Sequence, residues 1–176
     1  IHSYKLKSYL PRNIFLAKLL YKNCQQFITV SQEINAKVSS KYKFIPSILI
    51  NNPIDFESIS EKATEPILDH FQYVLSAGSM NKNIKQFDKL IECYAKSVLP
   101  SKNIKLIILG EGKLKIKWIK LAESLNLKEM ILFKGNVKNP FRYYRNALFT
   151  ISTSKYEGMP MVLLESLACE TPIISW

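Results

Sequence analysis

The chain is poor in the residues from which metal sites, disulfide frameworks and membrane spans are built. Its three cysteines, Cys24, Cys93 and Cys169, lie far apart, and it contains only two histidines. No Cys-x-x-Cys or Cys/His spacing suggests a metal site, and the odd cysteine count argues against a disulfide framework. No apolar run approaches the roughly 20 residues that a membrane-spanning helix needs. A reducing cytoplasm is therefore the expected compartment.

The sequence also lacks the usual signals at its ends. It begins at Ile1 without an initiator methionine or a signal-peptide pattern, and it stops at Trp176 directly after a predicted strand. Because a parallel sheet rarely ends on an uncovered strand, we expect a segment truncated at both ends. A length of 176 residues suits one domain, or one domain and part of another, and a hydrophobic content of 47% supports a packed core.

Acidic residues are scarce at the amino-terminal end, and the net charge of the chain is +11. Residues 1–45 contain a single acid, Glu33, against the basic residues Lys5, Lys7, Arg12, Lys18, Lys22, Lys37, Lys41 and Lys43. This surface suits anionic lipid or a phosphorylated substrate, or it is a solvated basic face. We expect no nucleic-acid partner, because arginine is scarce and neither a recognition-helix nor an RNA-stacking motif occurs.

Short apolar strands alternate with helices along the whole chain. Strands are predicted at 27–30, 47–50, 73–77, 105–109, 130–133, 148–152 and 173–175. Helices are predicted at 11–23, 32–39, 87–94, 114–125, just after Pro140 and at 161–168. The alternation predicts an α/β fold with a doubly wound, Rossmann-like parallel sheet, whose ligands bind beyond the carboxyl ends of the strands. Residues 55–70 lack periodicity and are interpreted as a linker, which divides the chain into domains 1–65 and 66–176.

The densest group of candidate site residues follows the strand predicted near residue 150. Glu157 and Gly158 lie in the loop after this strand, and Glu165 comes about one turn into the next helix. Free backbone N–H groups at Met161 and Val162 suit a phosphate, and carboxylates accept vicinal sugar hydroxyls. The arrangement therefore suits a sugar diphosphate, although an ordinary strand–turn–helix with a solvated glutamate has the same spacing.

This stretch resembles the signature of the family 4 retaining glycosyltransferases. Two glutamates flank seven residues in the setting Tyr-Glu-Gly-Met-Pro-Met-Val-Leu-Leu-Glu-Ser-Leu-Ala-Cys. Weaker similarities occur in the family's order at 30–33, 52–55, 76–78, 108–112, 133–137 and 139–144. The family has the GT-B fold of two facing Rossmann-like domains. The resemblance thus implies that the chain holds the end of the first domain and most of the second, donor-binding domain.

The resemblance also implies roles for the residues that match the motif. Glu165 would bind the ribose hydroxyls of the nucleotide, and Glu157 would face the donor sugar and the reacting centre. The backbone near Met161 and Val162 would hold the distal phosphate, while Val137 would pack near the base.

One loop departs from the family pattern. The family has an arginine directly after the glycine that corresponds to Gly78, and a lysine five residues later, and both contact the diphosphate. Here Ser79 replaces the arginine, and a hydroxyl does not replace a bidentate cation. The loop aligns with one inserted residue, so Lys85 fits the lysine position and Lys82 is the competitor; both also suit surface lysines. His2 resembles a strand-end histidine near the sugar, or it is a surface histidine.

The resemblance implies transfer of a hexosyl group from a nucleotide-diphosphate sugar to a saccharide or lipid-linked acceptor, with retention of anomeric configuration, in cell-surface polysaccharide or glycolipid synthesis. A lysine and a helix N-terminus stabilise the leaving diphosphate, so we expect no metal and no other cofactor. Two alternatives remain. One is a non-catalytic remnant that at most binds nucleotide, and the other is a sugar-nucleotide epimerase of the same fold.

The helix predicted at 11–23 suggests a further partner. Lys18 and Lys22 accompany an apolar stripe formed by Ile14, Phe15, Leu16, Leu19 and Leu20. Such a helix suits reversible binding to an anionic membrane at its cytoplasmic face. Alternatively, the stripe packs onto the core of the first domain.

Overall fold

A computed structural model describes residues 10–68 and 70–175 of the chain. His2 and the lysines at positions 5 and 7 lie outside the described residues. The chain divides into two compact units. The first comprises Ile1–Pro53 with Tyr156–Pro160, and the second comprises Ile54–Lys155 with Met161–Trp176.

The first unit is a small helix–strand assembly around a two-stranded parallel sheet. Its elements are α1 (Ile14–Leu20), β1 (Phe27–Thr29), α2 (Gln32–Lys41) and β2 (Ser47–Leu49). As predicted, Ser31 caps α2, because its hydroxyl accepts a hydrogen bond from the Ile34 N–H. The buried side chains of Ile34, Val38 and Tyr42 form the centre of this unit's core.

Helix α1 is shorter than predicted and leaves its apolar stripe on the surface. Asn13 caps its start by accepting a hydrogen bond from the Phe15 N–H, and Ala17 is its buried residue. The five stripe residues are 44% to 79% exposed. Inward packing, one of the two predicted arrangements of the stripe, is therefore not seen in the described part of the chain.

The second unit contains a five-stranded parallel sheet with helices on both faces. Its elements are α3 (Phe56–Ala63), β3 (Tyr73–Ala77), α4 (Phe87–Lys96), a short 3-10 helix (Pro100–Lys102), β4 (Lys105–Leu109), α5 (Lys115–Ser124), β5 (Ile131–Gly135), α6 (Phe141–Arg145), β6 (Thr150–Ser152), α7 (Met161–Ala168) and β7 (Ile173–Ser175). The strand order is β5-β4-β3-β6-β7. The predicted doubly wound α/β fold is confirmed.

The sheet is buried on both faces, which explains its continuous apolar strands. Val74 and Leu75 of β3 point to opposite faces, and both are fully buried. On one face α4 and α5 meet through an edge-to-face contact of Phe87 and Trp118, whose ring centroids lie 5.0 Å apart. The other face is covered by α3, α6 and α7.

The interpretation of residues 55–70 as a linker is wrong for the segment that forms α3. The Asp55 side chain accepts a hydrogen bond from the Ser58 N–H and so begins this helix. Ile59 and Ala63, one turn apart, are buried, and α3 packs on α6 and α7. The second unit accordingly begins after Pro53 rather than near residue 66. Two buried positions in a short polar helix give too weak a periodicity to recognise in the sequence.

Candidate functional site

A cleft of about 440 Å³ opens at the carboxyl ends of β3, β4 and β5 in the second unit. The chain runs outward from β3 to β5 and then returns to the other side of β3 for β6. Doubly wound sheets bind their ligands beside such a reversal of strand order, and the cleft volume suits a small molecule. Side chains that line the cleft belong to Ser79, Asn81, Glu111, Asn136, Val137, Pro140, Tyr144, Val162 and Glu165.

Backbone groups form part of the cleft, because glycines follow or end its three strands. The Gly78 N–H donates to the Leu109 carbonyl at 3.0 Å, and the Gly110 N–H donates to the Gly135 carbonyl at 2.8 Å. Gly110 has φ +129°, and a Cβ at this position would lie 2.0 Å from the Gly78 carbonyl oxygen. This close approach of two main chains requires glycine and keeps the cleft open.

Glu165 contributes a partly buried carboxylate to the cleft from the first turns of α7. The Tyr144 hydroxyl donates to its Oε2 atom at 3.3 Å. Burial raises the pKa of Glu165, whereas the Tyr144 hydrogen bond and the positive charge of Lys85 lower it. The arrangement therefore offers a hydrogen-bond acceptor that one neighbouring hydroxyl already holds in place.

Tyr144, on α6, is a buried partner of that carboxylate. Tyr144 is 1% exposed. Burial is the main cause that raises the pKa of its phenol, and the negative charge of Glu165 is the second, so the hydroxyl stays protonated and can donate. The Thr171 hydroxyl donates to the Tyr144 main-chain carbonyl at 2.7 Å. The residue is thus fixed from both its backbone and its side chain.

Lys85 and Lys82 occupy different environments. Lys85 is partly buried, and its side chain covers Gly78, since a Cβ there would lie 2.6 Å from the Lys85 Cε. The Thr153 hydroxyl donates to the Lys85 carbonyl at 2.6 Å, which anchors the lysine backbone to the loop after β6. Lys82 is exposed. The structure brings Lys85, Gly78 and Glu165 together, while the role of either lysine stays a prediction.

The remaining predicted donor-binding residues are divided between the cleft and its margin. Val137 and Val162 line the cleft, as does Ser79, whose hydroxyl accepts a hydrogen bond from the Asn81 side chain at 3.3 Å. Met161 begins α7 without lining the cleft.

Glu157 and Gly158 lie in the segment Tyr156–Pro160, which packs with the first unit. Within that unit the Asn52 N–H donates to the Met159 sulfur at 3.2 Å. The two glutamates of the motif therefore belong to different units, with Glu165 in the second. Their proposed roles remain predictions.

Tyr144 and Glu111 line the cleft, and the sequence analysis gave neither of them a role. Tyr144 contacts Glu165 only because α6 packs beside α7, and no local pattern reveals this pairing. Glu111 lies two residues after the end of β4, and its carboxylate is paired with Lys115 at the start of α5. The position of Glu111 in a Gly-Glu-Gly loop at a strand end is a signal that could have marked it as a site residue.

A doubly wound sheet with a cleft at the reversal of strand order is a ligand-binding architecture, and the comparison with protein families identifies its class. The sequence model of the family described as "Glycosyl transferases group 1" matches residues 58–176. The chain therefore belongs to this family.

Particular relatives extend the comparison. The chain is 34% identical over 164 residues to the N-acetylgalactosamine-N,N'-diacetylbacillosaminyl-diphospho-undecaprenol 4-alpha-N-acetylgalactosaminyltransferase of Campylobacter jejuni, covering 92% of this chain and 44% of that protein. The chain thus spans less than half the length of this relative.

Two solved structures show a similar fold. Staphylococcus aureus TarM, crystallised with UDP, fondaparinux and alpha-GlcNAc-glycerol, matches with a TM-score of 0.78 at 21% identity over 100% of this chain and 36% of its own. The pneumococcal O-GlcNAc transferase GtfA, in complex with UDP and GlcNAc, matches with a TM-score of 0.76 at 16% identity. The match covers 100% of this chain and 36% of the GtfA chain. The expected GT-B type of fold is confirmed.

Proposed function

We propose that the complete protein is a retaining glycosyltransferase that transfers a hexosyl group from a nucleotide-diphosphate sugar to a saccharide or lipid-linked acceptor. The observation that carries this proposal is the cleft at the reversal of strand order, with Glu165 held by Tyr144, in a member of the glycosyl transferases group 1 family. A family member with a defined ligand cleft is better explained as a transferase than as a remnant without function.

The cleft contains complementary groups for the parts of such a donor. Glu165 accepts hydrogen bonds from the two ribose hydroxyls, because a carboxylate can accept both. Lys85 and the first N–H groups of α7, at Met161 and Val162, supply positive potential for the diphosphate. Val137 packs near the base. UDP is a ligand named with both TarM and GtfA, which supports a nucleoside diphosphate as the ligand class.

The chemistry needs stabilisation of a leaving diphosphate. The bond between the anomeric carbon and the phosphate oxygen breaks, and a new bond forms from the acceptor hydroxyl oxygen, which loses its proton. Negative charge grows on the distal phosphate, where Lys85 and the α7 N-terminus act directly. These groups replace a metal ion in the proposal, and the resemblance assigns Glu157 to the donor-sugar side of the reaction.

The acceptor side of the proposal rests on the named relative and on α1. The Campylobacter enzyme is named for a diphospho-undecaprenol-linked substrate, which favours a lipid-linked acceptor here. The exposed stripe of α1, flanked by Lys18 and Lys22, suits reversible attachment to an anionic cytoplasmic membrane surface. Among the described residues, no helix combines the length and the apolar character needed to cross a bilayer.

Calorimetry with the complete protein tests the donor assignment. UDP, GDP, ADP and CDP are titrated into the wild type, Glu165→Ala and Glu123→Ala, the last being an exposed glutamate on α5. Glu165→Ala should weaken binding by about 1–3 kcal/mol, because a charged acceptor is lost. Glu123→Ala should leave the affinity unchanged. Equal affinities of wild type and Glu165→Ala would contradict the assignment, and transfer of labelled hexose to an acceptor would separate a transferase from a remnant or an epimerase.

A further inference from the structure

A buried tyrosine beside the candidate ribose-binding carboxylate has no role in the donor assignment above. The Tyr144 hydroxyl is 3.3 Å from Glu165 Oε2, and both residues line the cleft. The neighbouring Tyr143 is on the same helix, is also buried and packs in the same core cluster. Tyr143 does not line the cleft. The two adjacent tyrosines therefore differ in their relation to the carboxylate.

The fixed position of Tyr144 makes its hydrogen bond directional. Its ring is buried in the cluster between the sheet and the helices α3, α6 and α7. Its carbonyl accepts from the Thr171 hydroxyl at 2.7 Å. With backbone and ring both held, the hydroxyl has little freedom, so it restricts the rotamers of the longer Glu165 side chain.

We propose that Tyr144 is a positioning residue for Glu165. The Tyr144 hydroxyl occupies Oε2 of Glu165 and leaves Oε1 as the main acceptor for the ribose hydroxyls of the donor. This inference rests on the proposed function, because it assumes that Glu165 binds the ribose. Preorganisation of this kind lowers the ordering cost on binding, since the side chain does not have to be immobilised by the ligand. Tyr144 acts through Glu165 and needs no contact with the nucleotide.

The same hydrogen bond favours the ionised form of Glu165 and opposes the effect of burial on its pKa. Tyr144 from α6 and Lys85 from the loop before α4 act on this carboxylate. The Cys169 thiol, directly after α7, is a further titratable neighbour. Burial raises the pKa of Cys169 to about 11, so the thiol stays neutral near neutral pH. Of these neighbours, Tyr144 is the one whose hydrogen bond can be removed without changing the charge near Glu165.

The sign of the pH effect follows from these neighbours. The Tyr144 hydroxyl donates to the ionised carboxylate and lowers the pKa of Glu165 against the effect of burial. Removal of the hydroxyl should raise the pKa of Glu165 further. The ribose hydroxyls donate to the ionised carboxylate. As the pH is lowered, the Tyr144→Phe variant should therefore lose nucleotide affinity at a higher pH than the wild type does.

The test compares Tyr144→Phe with Tyr143→Phe, which removes the same atom from the adjacent residue. Affinity for the tightest of UDP, GDP, ADP and CDP is measured with the complete protein from about pH 8 to about pH 5, a range that extends toward the ordinary glutamate pKa. Tyr144→Phe should weaken binding about three- to tenfold at the upper end, and it should begin to lose further affinity at a higher pH. Tyr143→Phe should follow the wild-type profile.

A double-mutant cycle with Glu165→Gln shows whether Tyr144 acts through the carboxylate. In the Glu165→Gln background, Tyr144→Phe should have little further effect on affinity or on its pH dependence. The same loss in both backgrounds, or identical pH profiles for Tyr144→Phe and Tyr143→Phe, would overturn the inference. If the wild type binds the nucleotide and Glu165→Ala weakens it, the proposed function survives that failure. If no nucleoside diphosphate binds the wild type, both fail.

Discussion

At the scale of single residues, the environments of Lys85 and Lys82 lead to a prediction about turnover. Lys85 covers Gly78 and acts electrostatically on Glu165, whereas Lys82 is exposed. Lys85→Ala should lower kcat on the order of tenfold or more, because a charge that stabilises the leaving diphosphate is lost. Lys82→Ala should have a small effect. A sugar-transfer assay of the complete protein gives both values, and the reverse order would show that the inserted residue of this loop lies elsewhere.

Partial burial of Glu165 leads to a prediction about stability. Its folded-state pKa is raised, chiefly by burial, so folding favours the protonated form more than the unfolded chain does. The stabilising effect of protonation is complete below the unfolded pKa and is lost as the pH rises through the folded pKa. Glu165→Gln should therefore stabilise the protein at pH 7 by about 1 kcal/mol or less, since solvent screens a partly exposed group.

The stability gain should disappear at about pH 4, where the glutamate is largely protonated in both states. Thermal denaturation at the two pH values measures the difference, with Glu123→Gln on the exposed face of α5 as the control. A gain of equal size at both pH values would rule out ionisation as its cause.

The sequence identified Glu165, Lys85 and Val137, and the structure places all three near one cleft. The family resemblance singled them out, and each lies in the loop after a strand or in the helix that follows one, positions that parallel strands bring to one edge of the sheet. The sequence did not predict a role for Tyr144. The contact of Tyr144 with Glu165 joins residues 21 positions apart and depends on the packing of α6 against α7.

At the scale of secondary-structure elements, the close approach of the loops after β3 and β4 leads to a third prediction. A Cβ at Gly110 would lie 2.0 Å from the Gly78 carbonyl oxygen, and neither main chain can move without breaking the hydrogen bonds at the strand ends. Gly110→Ala should destabilise the protein by about 2–4 kcal/mol. The atoms nearest to a Cβ at Gly78 are methylene groups of the flexible Lys85 side chain, so Gly78→Ala should cost less. Thermal denaturation of both variants gives the order, and equal losses would mean that backbone crowding is not the cause.

The elements differ in how well their sequence specified them. Residues 73–77, 105–109 and 161–168 were predicted with the bounds that the structure has for β3, β4 and α7. Strands buried on both faces are continuous apolar runs between polar loops, and Pro160 marks the start of α7. Helix α3 was missed because its polar composition masks a buried face of only two residues. Helix α1 was predicted too long because the prediction began at Pro11 and ran to Asn23, whereas Asn13 caps the start of the helix and Tyr21 caps its end.

At the scale of the whole molecule, the exposed stripe of α1 and the charge of +11 lead to a prediction about membranes. Each lysine near an anionic surface contributes at most about 1 kcal/mol, which salt screens. The complete protein should cosediment with anionic vesicles at low salt, and less so with neutral ones. Replacement of Lys18 and Lys22 together by alanine should weaken binding to anionic vesicles. The same replacement of Lys120 and Lys128, a control pair outside the first unit, should weaken it less. Equal sedimentation with neutral and anionic vesicles would remove the membrane proposal.

The position of β3 in the sheet also determines when the second unit can fold. Leu75 pairs with Thr150, and the Ser76 hydroxyl donates to the Ile151 carbonyl across 75 residues of sequence. During synthesis β3, β4 and β5 can assemble among themselves, while the other edge of β3 waits unpaired until β6 leaves the ribosome. Such an open edge invites pairing with another chain. The nascent protein should therefore depend on chaperones most strongly over the interval between completion of β5 and emergence of β6.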